Sequence, residues 1–304
     1  MKKVLPLLLL IPALAAGQKV SVTRTEQLTR KETGELVLAA VSPDGAKILT
    51  SKPGYSGLAI LNLADRTVTA ITDDPGAGYE PVFSDDGSEI FYRTNDFSEG
   101  SKLSSLFRYD IEKSKTTPVE LRARDMLPPV ISQNKIYWSA SGVEKSRTID
   151  TAAAKSADFI PFLTLENLTP VLHLTNGSKT ITPNGPGYYI WASLSPDRTK
   201  ILYNFRGTAT YICDLAGNIL VSAGRLNAPK WLNNEYITGM DDKDDGYRVI
   251  SSEIVCMSVK TGEKTVLTHT KTTHEMYPFP LPDGKRIVCQ TTDGELFMLH
   301  LQIK

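Results

Sequence analysis

The sequence predicts an all-β protein, specifically a six-bladed β-propeller. Three observations carry this expectation: a turn segment that recurs, strand patterning of period two with no capped helical stripe, and a repeat spacing in the forties. The turn segments are Ser42-Pro43-Asp44-Gly45, Ser84-Asp85-Asp86-Gly87, Ser195-Pro196-Asp197-Arg198 and Leu281-Pro282-Asp283-Gly284, each leading into an apolar or β-branched run. Pro presets φ at the first corner, Asp accepts backbone hydrogen bonds across the turn, and Gly takes the positive φ that ends it. Gly45 and Gly87 lie 42 positions apart, the length of one four-stranded blade.

Taken in order, residues 39–41, 47–50, 58–63 and 67–72 read as the four strands of a first blade. Its outer hairpin recurs at 106–111 with 116–121, at 171–174 with 179–182, at 209–214 with 219–222, and at 253–259 with 264–268. Corners such as Asn176-Gly177 and Thr261-Gly262-Glu263 suit tight hairpins. The last segment, 276–304, supplies three strands and then the chain stops. Residues 20–29 resemble the other outer strands, so an N-terminal strand is expected to complete the C-terminal blade and close the ring.

Residues 1–17 begin Met1-Lys2-Lys3, continue through an apolar stretch and end in Ala15-Ala16-Gly17, the order of a secretory signal peptide. Residues 18–304 are then a single propeller domain, expected in the periplasm or outside the cell. The 34 basic and 34 acidic residues balance, which gives no general attraction to nucleic acid, and no second apolar stretch suggests an integral membrane segment. Cys213, Cys256 and Cys289 sit inside apolar runs and read as core residues.

The turn motif, the blade length, the signal peptide and the ring closed by an N-terminal strand together make the chain resemble the TolB-like six-bladed propellers of bacterial periplasms, a WD-like repeat family. The resemblance covers the mature chain but includes no N-terminal α/β domain. With no Gly-rich phosphate loop and no Gly-x-Ser-x-Gly elbow in the sequence, the expected function is a non-enzymatic binding or scaffold module of the cell envelope, holding a protein, peptide or glycan.

Connections at 94–105, 139–160 and 240–252 read as long loops on one face, the expected working surface. Around the channel mouth, Tyr79, Glu80, Tyr189, Trp191, Lys230, Trp231, His274, Glu275 and Tyr277 are the candidate ligand contacts, because aromatics beside a few polar groups suit a sugar or peptide. Asp241, Asp242, Asp244 and Asp245 form the densest acidic cluster and are weighed as calcium ligands, although Lys243 stands where an oxygen is wanted. No other cofactor and no catalytic residue is expected. The alternative is a small periplasmic lyase or hydrolase using a metal, or His274 with Glu275, at the channel mouth. His173, His269 and His300 read as structural.

Overall fold

Three of the four turn segments close on themselves through one side-chain network. In the first, Ser42 Oγ donates to Asp44 Oδ1 at 2.5 Å, and Asp44 Oδ1 and Ser42 Oγ accept the backbone N–H groups of Ala46 and Lys47, both at 2.9 Å. The same network recurs at Ser84 with Asp86 and at Ser195 with Asp197. Arg198 replaces glycine at φ 59 and gives its Nη1 to the Pro161 carbonyl at 2.6 Å, so this corner also ties two blades together.

The computed structural model describes residues 20–30, 34–98, 100–149, 159–271 and 273–304; the signal-peptide reading of 1–17 lies outside them. They contain strand β1 (Val20–Gln27) and seven sheets. Blade 1 is β2 (Val37–Val41), β3 (Lys47–Lys52), β4 (Ser56–Asn62) and β5 (Val68–Thr72). Blade 2 is β6 (Val82–Phe83), β7 (Glu89–Asp96), β8 (Leu103–Asp110) and β9 (Lys115–Ala123). Blade 3 has β10 (Val130–Ser132), β11 (Lys135–Ala140) and β12 (Val143–Thr148); blade 4 has β13 (Phe162–Glu166), β14 (Thr169–Leu174) and β15 (Gly177–Thr180). Blade 5 is β16 (Tyr189–Leu194), β17 (Lys200–Phe205), β18 (Ala209–Asp214) and β19 (Ile219–Gly224). Blade 6 is β20 (Asn227–Trp231), β21 (Tyr236–Asp244), β22 (Val249–Ser258) and β23 (Lys264–Val266). Blade 7 is β24 (Glu275–Pro280), β25 (Arg286–Thr291) and β26 (Leu296–Ile303), completed by β1.

The propeller expectation holds, and the number of blades is corrected from six to seven. Residues 139–160, read as a loop, contain β12, and β13 opens a further blade. The first strands of the seven blades touch in a closed circle, β24 meeting β2. Closure is as expected at the ends: β1 pairs antiparallel with β26, from Val20 opposite Ile303 to Gln27 opposite Phe297. The other two long connections also shrink, because β7, β8, β21 and β22 extend into them and leave only residues 97–102 and 245–248 as loop.

Blades are held by apolar side chains facing each other across junctions. Six clusters fill six junctions, such as Leu106 and Phe91 against Ile136 and Trp138 between blades 2 and 3. The three cysteines are free and buried in these junctions, and burial pushes the Cys213 and Cys256 thiols up to about 12. Among the described residues, the junction between blades 3 and 4 has no such cluster. No described helix is long and apolar enough to cross a membrane.

Candidate functional site

Where the seventh core is missing there is a cavity of about 450 Å³. Its walls come from blades 3 and 4, with Glu80 and Val82 reaching it from blade 2 and Ala192 from blade 5, so it runs inward to the first strands. Strand register explains which side chains face it. In β13 and β14, Phe162 lies opposite His173 and Thr164 opposite Val171, which places Phe162, Thr164, Glu166 and His173 on one face of the sheet. In β11 and β12, Tyr137 lies opposite Ser146 and Ser139 opposite Glu144, giving blade 3 a matching polar face.

Glu144, Glu166 and His173 converge there, with their donor atoms all within 4.8 Å of one another. His173 is held on two sides: its ring stacks on Phe162 at 4.4 Å and 3°, and Nε2 lies 2.9 Å from Thr164 Oγ1. If Nε2–H donates to that hydroxyl, the Nδ1 lone pair is left free to bind a ligand. Tyr137 also packs on Phe162, with ring centroids 4.4 Å apart. Among the described residues, neither carboxylate has a hydrogen-bond or ion-pair partner, whereas the neighbouring Lys145 is engaged by Glu120 at 2.7 Å. Two unpaired carboxylates beside an oriented imidazole suit a divalent cation, which would relieve their mutual repulsion. The spacing fits a single ion at roughly 2.0–2.3 Å from each donor after small side-chain adjustments. The oxygen-rich donor set with one imidazole suits a hard or borderline divalent ion.

Two corrections follow. His173, read as structural from the sequence, lies beside Glu144 and Glu166 in the one group of three or more potential metal donors among the described residues. The expectation of a non-enzymatic module with no resident cofactor also gives way, because this junction holds a potential metal triad inside a walled cavity.

The other sequence candidates are distributed differently. Tyr189 is fully buried between blades 4 and 5, its hydroxyl donating to the Gly185 carbonyl at 2.8 Å. Trp231 gives its indole N–H to the Ser193 carbonyl at 3.3 Å and packs against the junction of blades 5 and 6. Glu275 is buried between blades 6 and 7, where Thr270 donates to its carboxylate at 2.8 Å and burial pushes its carboxyl up. His274 is half-buried beside it.

Tyr79, Glu80, Trp191, Lys230 and Tyr277 belong to the first strands of their blades or the links entering them. Lys230 lies 4.1 Å over the Phe279 ring, Tyr79 meets Tyr55 edge-on at 5.2 Å, and Arg93 stacks over Tyr79 at 5.5 Å. The four aspartates do not gather. Asp242 accepts from Asn227 at 2.8 Å, and Arg225 lies 3.8 Å from Asp242 and 3.9 Å from Asp244. Asp245 caps its own turn by accepting the Tyr247 and Arg248 N–H groups at 3.0 Å, and Asp241 is exposed.

No family model matches the chain, and no curated protein matches it in sequence. Solved structures do. A chain of a mitotic checkpoint complex is 13% identical, covers 98% of both chains and has a TM-score of 0.59, which supports the propeller fold. An oligogalacturonate lyase in complex with manganese is 15% identical over 86% of this chain and 76% of its own, with a TM-score of 0.47. An oligogalacturonate lyase from Vibrio parahaemolyticus is 9% identical over 93% and 96%, with a TM-score of 0.46. The chain is thus a β-propeller, and the resemblance to six-bladed TolB-like proteins reduces to that architecture.

Proposed function

We propose that the chain is a metal-dependent lyase or hydrolase that acts on a sugar-like substrate in the cleft between blades 3 and 4. The observation that carries this reading is the convergence of Glu144, Glu166 and His173 in the junction that, among the described residues, has no apolar core cluster. A divalent ion held there supplies a Lewis acid for a substrate oxygen or an activated water. Tyr137 and Phe162 offer flat apolar surface, and Ser139, Ser146 and Thr164 offer hydroxyls, a lining that suits a polyol. The order of residues 1–17 supports export of the enzyme to the periplasm or beyond.

The test is to strip the protein with a chelator, restore manganese, and assay a panel of oligosaccharides that includes oligogalacturonate, the substrate named for two of the solved structures. Cleavage that needs the metal and falls at least a hundredfold in His173→Ala supports the reading. Cleavage at an equal rate without metal, or no cleavage of any member, contradicts it.

A further inference from the structure

The cavity has one more acidic side chain, Glu80, which reaches it from the link before β6 and takes no part in the triad. Its backbone is left-handed, with φ 51. Three other residues share this conformation at the same point of their blades, four positions before the turn segment or its counterpart: Trp191 (φ 55), Ala228 (φ 44) and Tyr277 (φ 50). In β16, β20 and β24 the strand register shifts at this position, so it is a bulge repeated around the inner ring. A non-glycine residue held there carries strain that the surrounding fold must offset, a condition common at functional sites.

Glu80 also has no hydrogen-bond or ion-pair partner among the described residues. The charged and titratable groups around it are Tyr79 beside it, Arg93 on β7 and Lys230 on β20, with Glu144, Lys145, Glu166 and His173 lining the same cavity. Arg93 is almost fully buried, donates Nη1 to the Met126 carbonyl and leaves Nε without a partner. Lys230 lies over the Phe279 ring.

From this geometry we infer that Glu80 is the proton-transfer residue of the cleft, a role that rests on the metal-dependent reading above. In hydrolysis, its carboxylate takes a proton from the attacking water as the water oxygen bonds to the sugar carbon and the C–O bond to the leaving sugar breaks with its electron pair. In elimination, the proton comes from a C–H bond, whose electron pair becomes the new C=C bond as the adjacent C–O bond opens. In both cases Glu80 then returns the proton to the departing oxygen, so no further reactant is needed. The surroundings favour the role: Glu80 is open to water yet ringed by protein, so burial pushes its carboxyl up while Arg93 and Lys230 pull it partly back.

The experiment compares wild type, Glu80→Gln and Lys230→Met, with manganese affinity by calorimetry and a full pH profile of turnover on the substrate found above. A base must be ionised to act, so turnover rises with pH through the titration of Glu80. Glu80→Gln is expected to keep manganese affinity within about twofold, lower kcat by roughly 10²–10⁴-fold and abolish that acid limb. Lys230→Met removes a positive charge beside Glu80, so its limb is expected to move to higher pH. Unchanged turnover in Glu80→Gln, loss of manganese binding in Glu80→Gln, or an unmoved limb in Lys230→Met would each overturn the role while leaving the metal reading standing. Wild type that neither binds manganese nor turns over any substrate overturns the metal reading, and Glu80's role with it.

Discussion

The junction between blades 2 and 3 and the junction between blades 3 and 4 use the same strands of blade 3 and reach opposite results. On one side, Ile136, Trp138 and Ala140 interlock with Phe91 and Leu106 as apolar core, beside a second cavity of about 480 Å³ lined by the Glu89–Arg108 ion pair and Arg147. On the other, Tyr137, Ser139, Glu144 and Ser146 face Phe162, Thr164, Glu166 and His173 across a cavity. Because strand side chains alternate, one sheet can be adhesive on one face and chemical on the other. The apolar clusters at six junctions make the ring rigid, and a rigid ring can hold the cleft between blades 3 and 4 with its ligands in place.

The largest effect should come from opening the ring at its seam. Deleting residues 20–27 removes a strand ladder together with Val20, and the melting temperature should fall by ten degrees or more; an unchanged melt would show that β1 does not hold blade 7. Next, Leu106→Ala in an apolar junction cluster should cost about 2–5 kcal/mol in denaturant unfolding. In the cleft between blades 3 and 4, Glu166→Gln should change stability by less than about 1 kcal/mol, since the side chain has no partner to lose. A comparable loss at both sites would erase the distinction between them.

How much of this could be read in the sequence depends on how each turn is made. The Ser-x-Asp corners were legible because their hydroxyl and carboxylate groups satisfy the backbone locally, whatever the rest of the fold does. Blades 3 and 4 merged in the sequence because their corners are less conspicuous. Asn167-Leu168 turns with φ 47 and 58, a pair of left-handed residues with no glycine, and Ser141-Gly142 joins β11 to a β12 that is polar and mostly exposed. Without β12 and β13, Glu144, Glu166 and His173 could not be placed on facing sheets. Once the 162–174 hairpin is recognised, its register puts Glu166 and His173 on one face, and that was the available signal. Tyr189 and Trp231 pack toward blade junctions, because aromatics on a first strand can turn into the core as readily as into the channel.

The smallest expected effect concerns a buried acid between blades 6 and 7. Burial raises the Glu275 carboxyl pKa in the folded chain above its unfolded value. Its contribution to stability is therefore fully present at acid pH and declines as pH rises through the folded-state pKa. Glu275→Gln should flatten this decline and raise the melting temperature by about 1–2 °C at neutral pH, with no gain at pH 4. An equal gain at both pH values would show that the carboxyl does not titrate in the way its burial implies.

The most direct test of the central claim is a crystal structure of the protein soaked in manganese, with anomalous scattering recorded at the metal edge. The account predicts one strong peak between blades 3 and 4, within roughly 2.0–2.3 Å of Glu144, Glu166 and His173, that vanishes in His173→Ala. A strong peak elsewhere with this junction empty, or a peak that survives the substitution, would contradict it.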